Sequence, residues 1–166
     1  GRQDTESLLE GLEIVAAQQI PRDDVTLEEF DLDAALKRQP KVLLMDELAH
    51  TNADGSRHAK RWQDVAGLLD AGIDIYTTLN VQHLESLNDV VAQITGIKVR
   101  ETIPDHIFES ADEIELIDLS PRELQTRLTK GKVYVPDNVQ LALKNFFREG
   151  NLTALRELAL RSTADR

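Results

Sequence analysis

The chain has 166 residues, with 19 Lys and Arg against 30 Asp and Glu, a net charge of −11, no cysteine and 41% hydrophobic residues. That length suits one domain with a real core, and eight Gly and five Pro exclude collagenous and low-complexity chains. The acidic balance repels phosphodiester backbones, so no nucleic acid is expected as a partner, and the lack of cysteine removes disulfides and thiolate zinc sites.

Short apolar runs alternate with longer amphipathic stretches, the pattern of an α/β fold. Asp4-Thr5-Glu6 caps a predicted first helix carrying Leu8, Leu9 and Leu12. Glu13 to Ile20 is predicted as a strand ending before Pro21. Thr26-Leu27-Glu28-Glu29 reads as a capping box, opening a helix that runs toward Arg38 and stops at Pro40. Val42-Leu43-Leu44-Met45, apolar without alternation, predicts a strand covered on both faces. A polar loop over Thr51 to Ala59 leads to a helix near Lys60 to Ala71, closed by Gly72. Ile73 to Thr77 is the next strand. Val81, Leu84, Leu87, Val90, Val91 and Ile94 keep three-to-four spacing, which predicts one helix ended by Gly96. Ile97 to Arg100 and Ile114 to Leu119 read as further strands, and Ser120-Pro121-Arg122-Glu123 as a strong helix start. Val133-Tyr134-Val135 is predicted extended, and the last thirty residues helical with a break near Gly150-Asn151. With no repeat and no clear linker, residues 1–166 are expected to form a single domain. The longest uncharged run, Ile75 to Leu84, has ten residues. A membrane-spanning helix needs about 20, so no direct insertion by this chain is expected.

The sharpest chemical signal is Val42-Leu43-Leu44-Met45-Asp46-Glu47. Four apolar residues place a strand inside a sheet, and two carboxylates leave its carboxyl end, the edge at which ligands bind in doubly wound sheets. Adjacent acids point in different directions. Asp46 can therefore hold Mg²⁺ through water while Glu47 acts on an attacking water, as in a Walker B strand. The same two residues also fit a turn followed by a solvated helix start. The loop Asp54-Gly55-Ser56-Arg57-His58-Ala59-Lys60-Arg61 carries three certain cations against one acid. Arg57, Lys60 or Arg61 can clamp phosphate oxygens or meet an acidic surface; alternatively, Lys60 and Arg61 pair with Asp64. Thr78 and Asn80, leaving the next strand, can sense a phosphate or cap the following helix.

None of the four histidines forms a His-x-x-x-His pair, so a zinc site is not expected, and His50 reads as a structural hydrogen-bonding residue. No Gly-x-Ser-x-Gly turn supports serine catalysis. A Walker A loop is also missing: the only Gly-Lys, Gly131-Lys132, precedes Val133 and has no glycine five residues before it. Either the phosphate cradle lies beyond these 166 residues, or the acidic strand is not a Walker B.

Longer strings are more specific. Met45-Asp46-Glu47-Leu48-Ala49-His50-Thr51-Asn52, Gly55-Ser56-Arg57-His58, Lys60-Arg61-Trp62-Gln63-Asp64 and the run from Ala71 to Asp89 resemble the N-terminal cytoplasmic domains of the KdpD potassium-sensing histidine kinases. So do Gly131-Lys132-Val133-Tyr134-Val135-Pro136 and the run from Asn151 to Leu160. The resemblance covers nearly the whole chain. It implies an α/β, three-layer P-loop NTPase-like domain with a mainly parallel sheet, the P-loop strand missing from this sequence and its Walker A upstream of residue 1. Gly1 is then an internal position. It further implies ATP and Mg²⁺ as cofactors, both requiring that upstream loop. The Walker B falls on Asp46 and Glu47, so Asp46 would hold Mg²⁺ through water and Glu47 would be the catalytic residue; on the reading of the residues above, Thr78 or Asn80 would sense the phosphate and the loop with Arg57, Lys60 and Arg61 would respond to it.

The implied role is a cytoplasmic regulatory ATP-binding domain of a plasma-membrane two-component sensor histidine kinase, responding to potassium limitation or osmotic stress. Other cytoplasmic domains of the parent kinase, and a second copy of the chain, are the expected partners. No His-Glu-x-x-[Thr/Asn]-Pro box surrounds any histidine, so the kinase core is not expected here and the acidic pair is at most a weak ATPase half-site. The alternative is a nucleotide-independent interaction scaffold, which the basic loop suits as well. A sheet lacking its P-loop strand would be poorly soluble or form a swapped dimer.

Overall fold

A computed structural model describes residues 7–22, 25–130 and 145–165. Its contacts divide the chain into two units. One holds Glu13–His83 with Glu101–Ile103; the other holds Gly1–Leu12, Leu84–Arg100 and Pro104–Arg166.

In the first unit, β1 (Gln18–Arg22) and β2 (Val25–Glu29) pair antiparallel, Gln18 opposite Glu29 and Arg22 opposite Val25. Two expectations are corrected. The strand begins at Gln18 and not at Glu13, and it runs through Pro21 instead of ending before it, because a strand with a single neighbour needs donors on only one edge. Thr26 to Glu29 is extended and opens no helix, since pairing with β1 supplies hydrogen bonds that a local capping box would otherwise provide. The cap is Asp31, whose Oδ1 accepts from the Ala34 amide at 2.8 Å, and α1 (Leu32–Arg38) follows. Gln39, left-handed at φ 50°, closes α1 just before Pro40.

β3 (Val42–Met45) and β4 (Asp74–Thr77) form a parallel pair, with Leu44 opposite Tyr76 and Met45 opposite Thr77. The connection carries α2 (Arg61–Asp70), and Gly72, at φ 80°, turns the chain back into β4. Leu32, Ala35, Met45, Leu48, Val65, Leu68, Ile73 and Ile103 are buried. Leu68 is wholly inaccessible, and burial of a leucine side chain stabilises by about 2 kcal/mol. β3 is covered on one face only, contrary to expectation. Side chains alternate across a strand, and while Met45 is buried, Val42 and Leu44, with Tyr76 opposite, are 47%, 61% and 66% exposed.

In the second unit, residues 7–9 form a single 3₁₀ turn, Ser7–Leu9, where the sequence predicts a helix; the predicted cap at Asp4-Thr5-Glu6 lies outside the described residues. The helix predicted from Val81 to Ile94 is broken. Val81–His83 is a 3₁₀ turn of the first unit, Leu84 is extended at φ −71° and ψ 128°, and a second turn, Glu85–Leu87, precedes α3 (Asn88–Thr95). The cause is Asp105, whose carboxylate accepts from both the amide (3.0 Å) and the hydroxyl of Ser86 and so offers an alternative to a helical bond. Gly96, at φ 74°, closes α3 as predicted.

Residues 97–100 and 114–119 form no strand; the side-chain amide of Asn88 holds the first stretch at the Val99 carbonyl, 2.9 Å away. After α4 (Asp105–Glu109), α5 (Pro121–Thr129) begins where the sequence places it, with Ser120 Oγ accepting from the Glu123 amide. The interruption expected near Gly150-Asn151 lies just before it, in the turn over residues 145–148, and α6 (Glu149–Ala164) then runs unbroken. Buried Asn151 accepts from Arg148 Nε (3.0 Å) and donates to the Asn145 carbonyl (3.1 Å). α3 and α5 pack on α6, burying Val91, Leu128, Leu152 and Leu155. The extended stretch predicted at Val133 to Val135 lies outside the described residues. Among those described, no helix is long and apolar enough to cross a membrane. The fold is α/β with a small parallel sheet.

Candidate functional site

The carboxyl end of the parallel pair brings Asp46, Glu47 and Thr78 together. The Thr78 hydroxyl donates to Asp46 Oδ1. The Glu47 amide donates to the same oxygen and to Thr78 Oγ1, each at 3.0 Å. The Leu48 amide reaches the Thr78 carbonyl at 2.9 Å, so the exits of β3 and β4 are tied together. Glu47 sits in the left-handed region at φ 53°, a conformation that costs a non-glycine residue about 1 kcal/mol. Both carboxylates are exposed. Asn80 is exposed too, and its carbonyl, not its side chain, receives the His83 amide at 3.0 Å.

Each cation of the loop has an intramolecular partner. Arg57 pairs with Asp33 at 2.5 Å, both largely exposed. Lys60 Nζ donates to Thr51 Oγ1 at 2.6 Å, across the bridge that joins residues 51 and 60. Arg61 is withdrawn, its side chain 15% exposed, with Nη1 donating to the Asp46 carbonyl at 2.8 Å and Nη2 3.7 Å from Glu29. The alternative pairing of Lys60 and Arg61 with Asp64 is not what forms.

Glu29, expected in a capping box, and Asp64, expected to pair with Lys60 and Arg61, have different roles: both are buried anchors. Buried carboxylates are costly unless satisfied, and both are. Glu29, 7% exposed, accepts from the Ala53 amide (2.8 Å) and from His50 Nε2, 3.1 Å from each oxygen. His50 is thus the structural residue expected. Asp64, 3% exposed, binds Asn52 Nδ2 (2.7 Å) and His58 Nδ1 (2.8 Å). A signal existed for Asp64, since it lies one helical turn before Leu68 on the buried stripe of α2. Glu29 carried none, because its neighbours spell a helix start.

Glu101 closes the neck of the loop by accepting from the Thr51 amide at 2.9 Å. Burial pulls its carboxyl up, but the Thr51 hydrogen bonds, helped by His50 and His83, carry it below the ordinary glutamate value. His83 Nδ1 in turn donates to the Glu101 carbonyl at 2.6 Å.

A magnesium ion that keeps several waters and takes one or two carboxylates fits this turn. Asp46 Oδ2 accepts no hydrogen bond among the described residues, whereas Oδ1 is saturated. Those residues contain no cluster of three or more His, Asp or Glu able to hold a metal alone.

The family described as "KdpD: Osmosensitive K+ channel His kinase sensor domain" matches residues 1–166. The chain is 59% identical over 166 residues to the sensor protein KdpD of Escherichia coli K12, all of this chain but 19% of that protein. It is 58% identical over 165 residues to the sensor protein KdpD of Clostridium acetobutylicum, 99% of this chain and 18% of that protein. The putative sensor protein KdpD of Synechocystis is 49% identical over 165 residues, 99% of this chain and 45% of that protein. The chain thus spans under a fifth of the length of the first two relatives. Matched from end to end, it belongs to the KdpD sensor domain family.

Proposed function

We propose that this chain is most of a regulatory ATP-binding domain of a two-component sensor histidine kinase, cytoplasmic at the plasma membrane and responsive to potassium limitation or osmotic stress. The observation that carries the reading is the acidic turn. Two exposed carboxylates leave a parallel strand, one oxygen of Asp46 is fixed by Thr78 and the other has no partner among the described residues. A P-loop supplied by a preceding segment would hold the phosphates, Asp46 would meet Mg²⁺ through water, and Glu47 would orient the nearest water. Arg57 and Lys60 would exchange Asp33 and Thr51 for phosphate oxygens. When bound, Mg-ATP would supply the γ-phosphate whose presence the turn reports.

Calorimetric titration of Mg-ATP into this chain and into one extended upstream by about 50 residues, room enough for a P-loop strand and helix, tests the reading. Binding by the extended chain alone, weakened about tenfold or more by Asp46→Asn, supports it. No binding by either refutes it.

A second reading, a nucleotide-independent scaffold docking on other domains of the kinase or on a second copy, is favoured by one finding: all three loop cations already have partners. Charge reversal at Arg57 and Lys60 separates the two. Lost nucleotide affinity supports the first; lost signalling with affinity intact supports the second.

A further inference from the structure

We propose that Arg61 is a positioning residue that clamps the peptide between Asp46 and Glu47, with Glu29 as its anchor; this rests on reading Asp46 as the residue that meets Mg²⁺ through water and Glu47 as the one that orients that water. That peptide plane is held from both ends. On the amide side, the Glu47 N–H is bound by Asp46 Oδ1 and Thr78 Oγ1. On the carbonyl side, the Asp46 oxygen accepts from Arg61 Nη1 at 2.8 Å. The orientation of this plane sets φ of Glu47, so the two grips together sustain the left-handed conformation at 53°. Released on the carbonyl side, the plane can rotate, returning Glu47 to an ordinary conformation and swinging its carboxylate away.

The placement of Arg61 suits this work and not phosphate binding. It opens α2, its own amide donates to the His50 carbonyl at 3.1 Å, and Glu29, itself only 7% exposed, lies 3.7 Å from Nη2. Glu29 also holds His50 and the Ala53 amide, which immediately precedes the basic loop. A single buried carboxylate therefore joins the seat of the loop to the guanidinium that holds the acidic turn. Displacement of the loop would reach Glu47 by this route.

The test compares Arg61→Met and Arg61→Lys with the unaltered full-length kinase. Loss of a hydrogen bond to a charged donor predicts amide exchange about tenfold faster at Glu47 and Leu48 in Arg61→Met, with Gln39 unchanged and Arg61→Lys intermediate. Nucleotide affinity should fall about tenfold in the presence of Mg²⁺ and stay constant in EDTA. Equal loss with and without Mg²⁺ would mean that Arg61 touches phosphate and would overturn the proposal. So would unchanged exchange at residues 47 and 48, or a uniform rise that includes Gln39. If the unaltered kinase binds no nucleotide, the functional reading fails, and the exchange measurement decides the positioning role by itself.

Discussion

Glu47 has the backbone that glycine prefers, at φ 53°, yet it carries a side chain. Left-handed geometry costs an L-residue about 1–2 kcal/mol, and glycine escapes that cost. Glu47→Gly should therefore be more stable than Glu47→Ala by about 1 kcal/mol in thermal or urea unfolding, the reverse of the usual order between these residues. Equal stabilities would mean that the turn relaxes when the carboxylate is removed. Glu101 offers a test in pH. Its lowered folded-state value means that the unfolded chain takes up this proton first as acid is added. Its contribution is complete above the ordinary glutamate range, about pH 4.3, and disappears as the pH falls through the lowered value. Glu101→Gln should be less stable than the parent at neutral pH, and the gap should close in acid. A gap that widened in acid would contradict the assignment of the Thr51 hydrogen bonds as its source.

At the scale of elements, local chemistry decided α5, and Ser120→Ala should cost about 1 kcal/mol by removing the oxygen that receives the Glu123 amide. The legible parts were those whose signals are local and unopposed: the Ser120-Pro121 start of α5, Gly72 and Gly96 at chain reversals, and the apolar run of β3. The illegible parts were decided by distant partners. Thr26 to Glu29 has the letters of a helix cap, but β1 offers a complete ladder. The periodic stretch from Val81 to Ile94 breaks because Asp105, 19 positions away from Ser86, takes the Ser86 amide. The candidate site divides in the same way. Asp46 and Thr78 were legible as exits of successive strands, whereas the anchoring of Arg61 on Glu29 depends on a register that only the folded hairpin sets.

At the scale of the whole molecule, the apolar face of β3 and β4 decides between the two functional readings. Val42, Leu44 and Tyr76 lie on one side of the parallel pair and are exposed, while parallel strands are ordinarily covered on both faces. On the ATP-binding reading, further strand and helix of a P-loop fold cover that side in the longer protein. Leu44→Asp then has opposite consequences in two settings. In the 166-residue chain the side chain is 61% exposed, so the substitution should change stability by about 0.5 kcal/mol or less. In the extended chain the same carboxylate would be buried without a partner, costing several kcal/mol, about 3 or more, and Mg-ATP affinity should fall with it. Paired urea titrations of the two lengths measure this directly. A small effect in both would leave the face open in the longer protein and favour the docking scaffold. A large effect confined to the extended chain would place this face inside a nucleotide-binding fold.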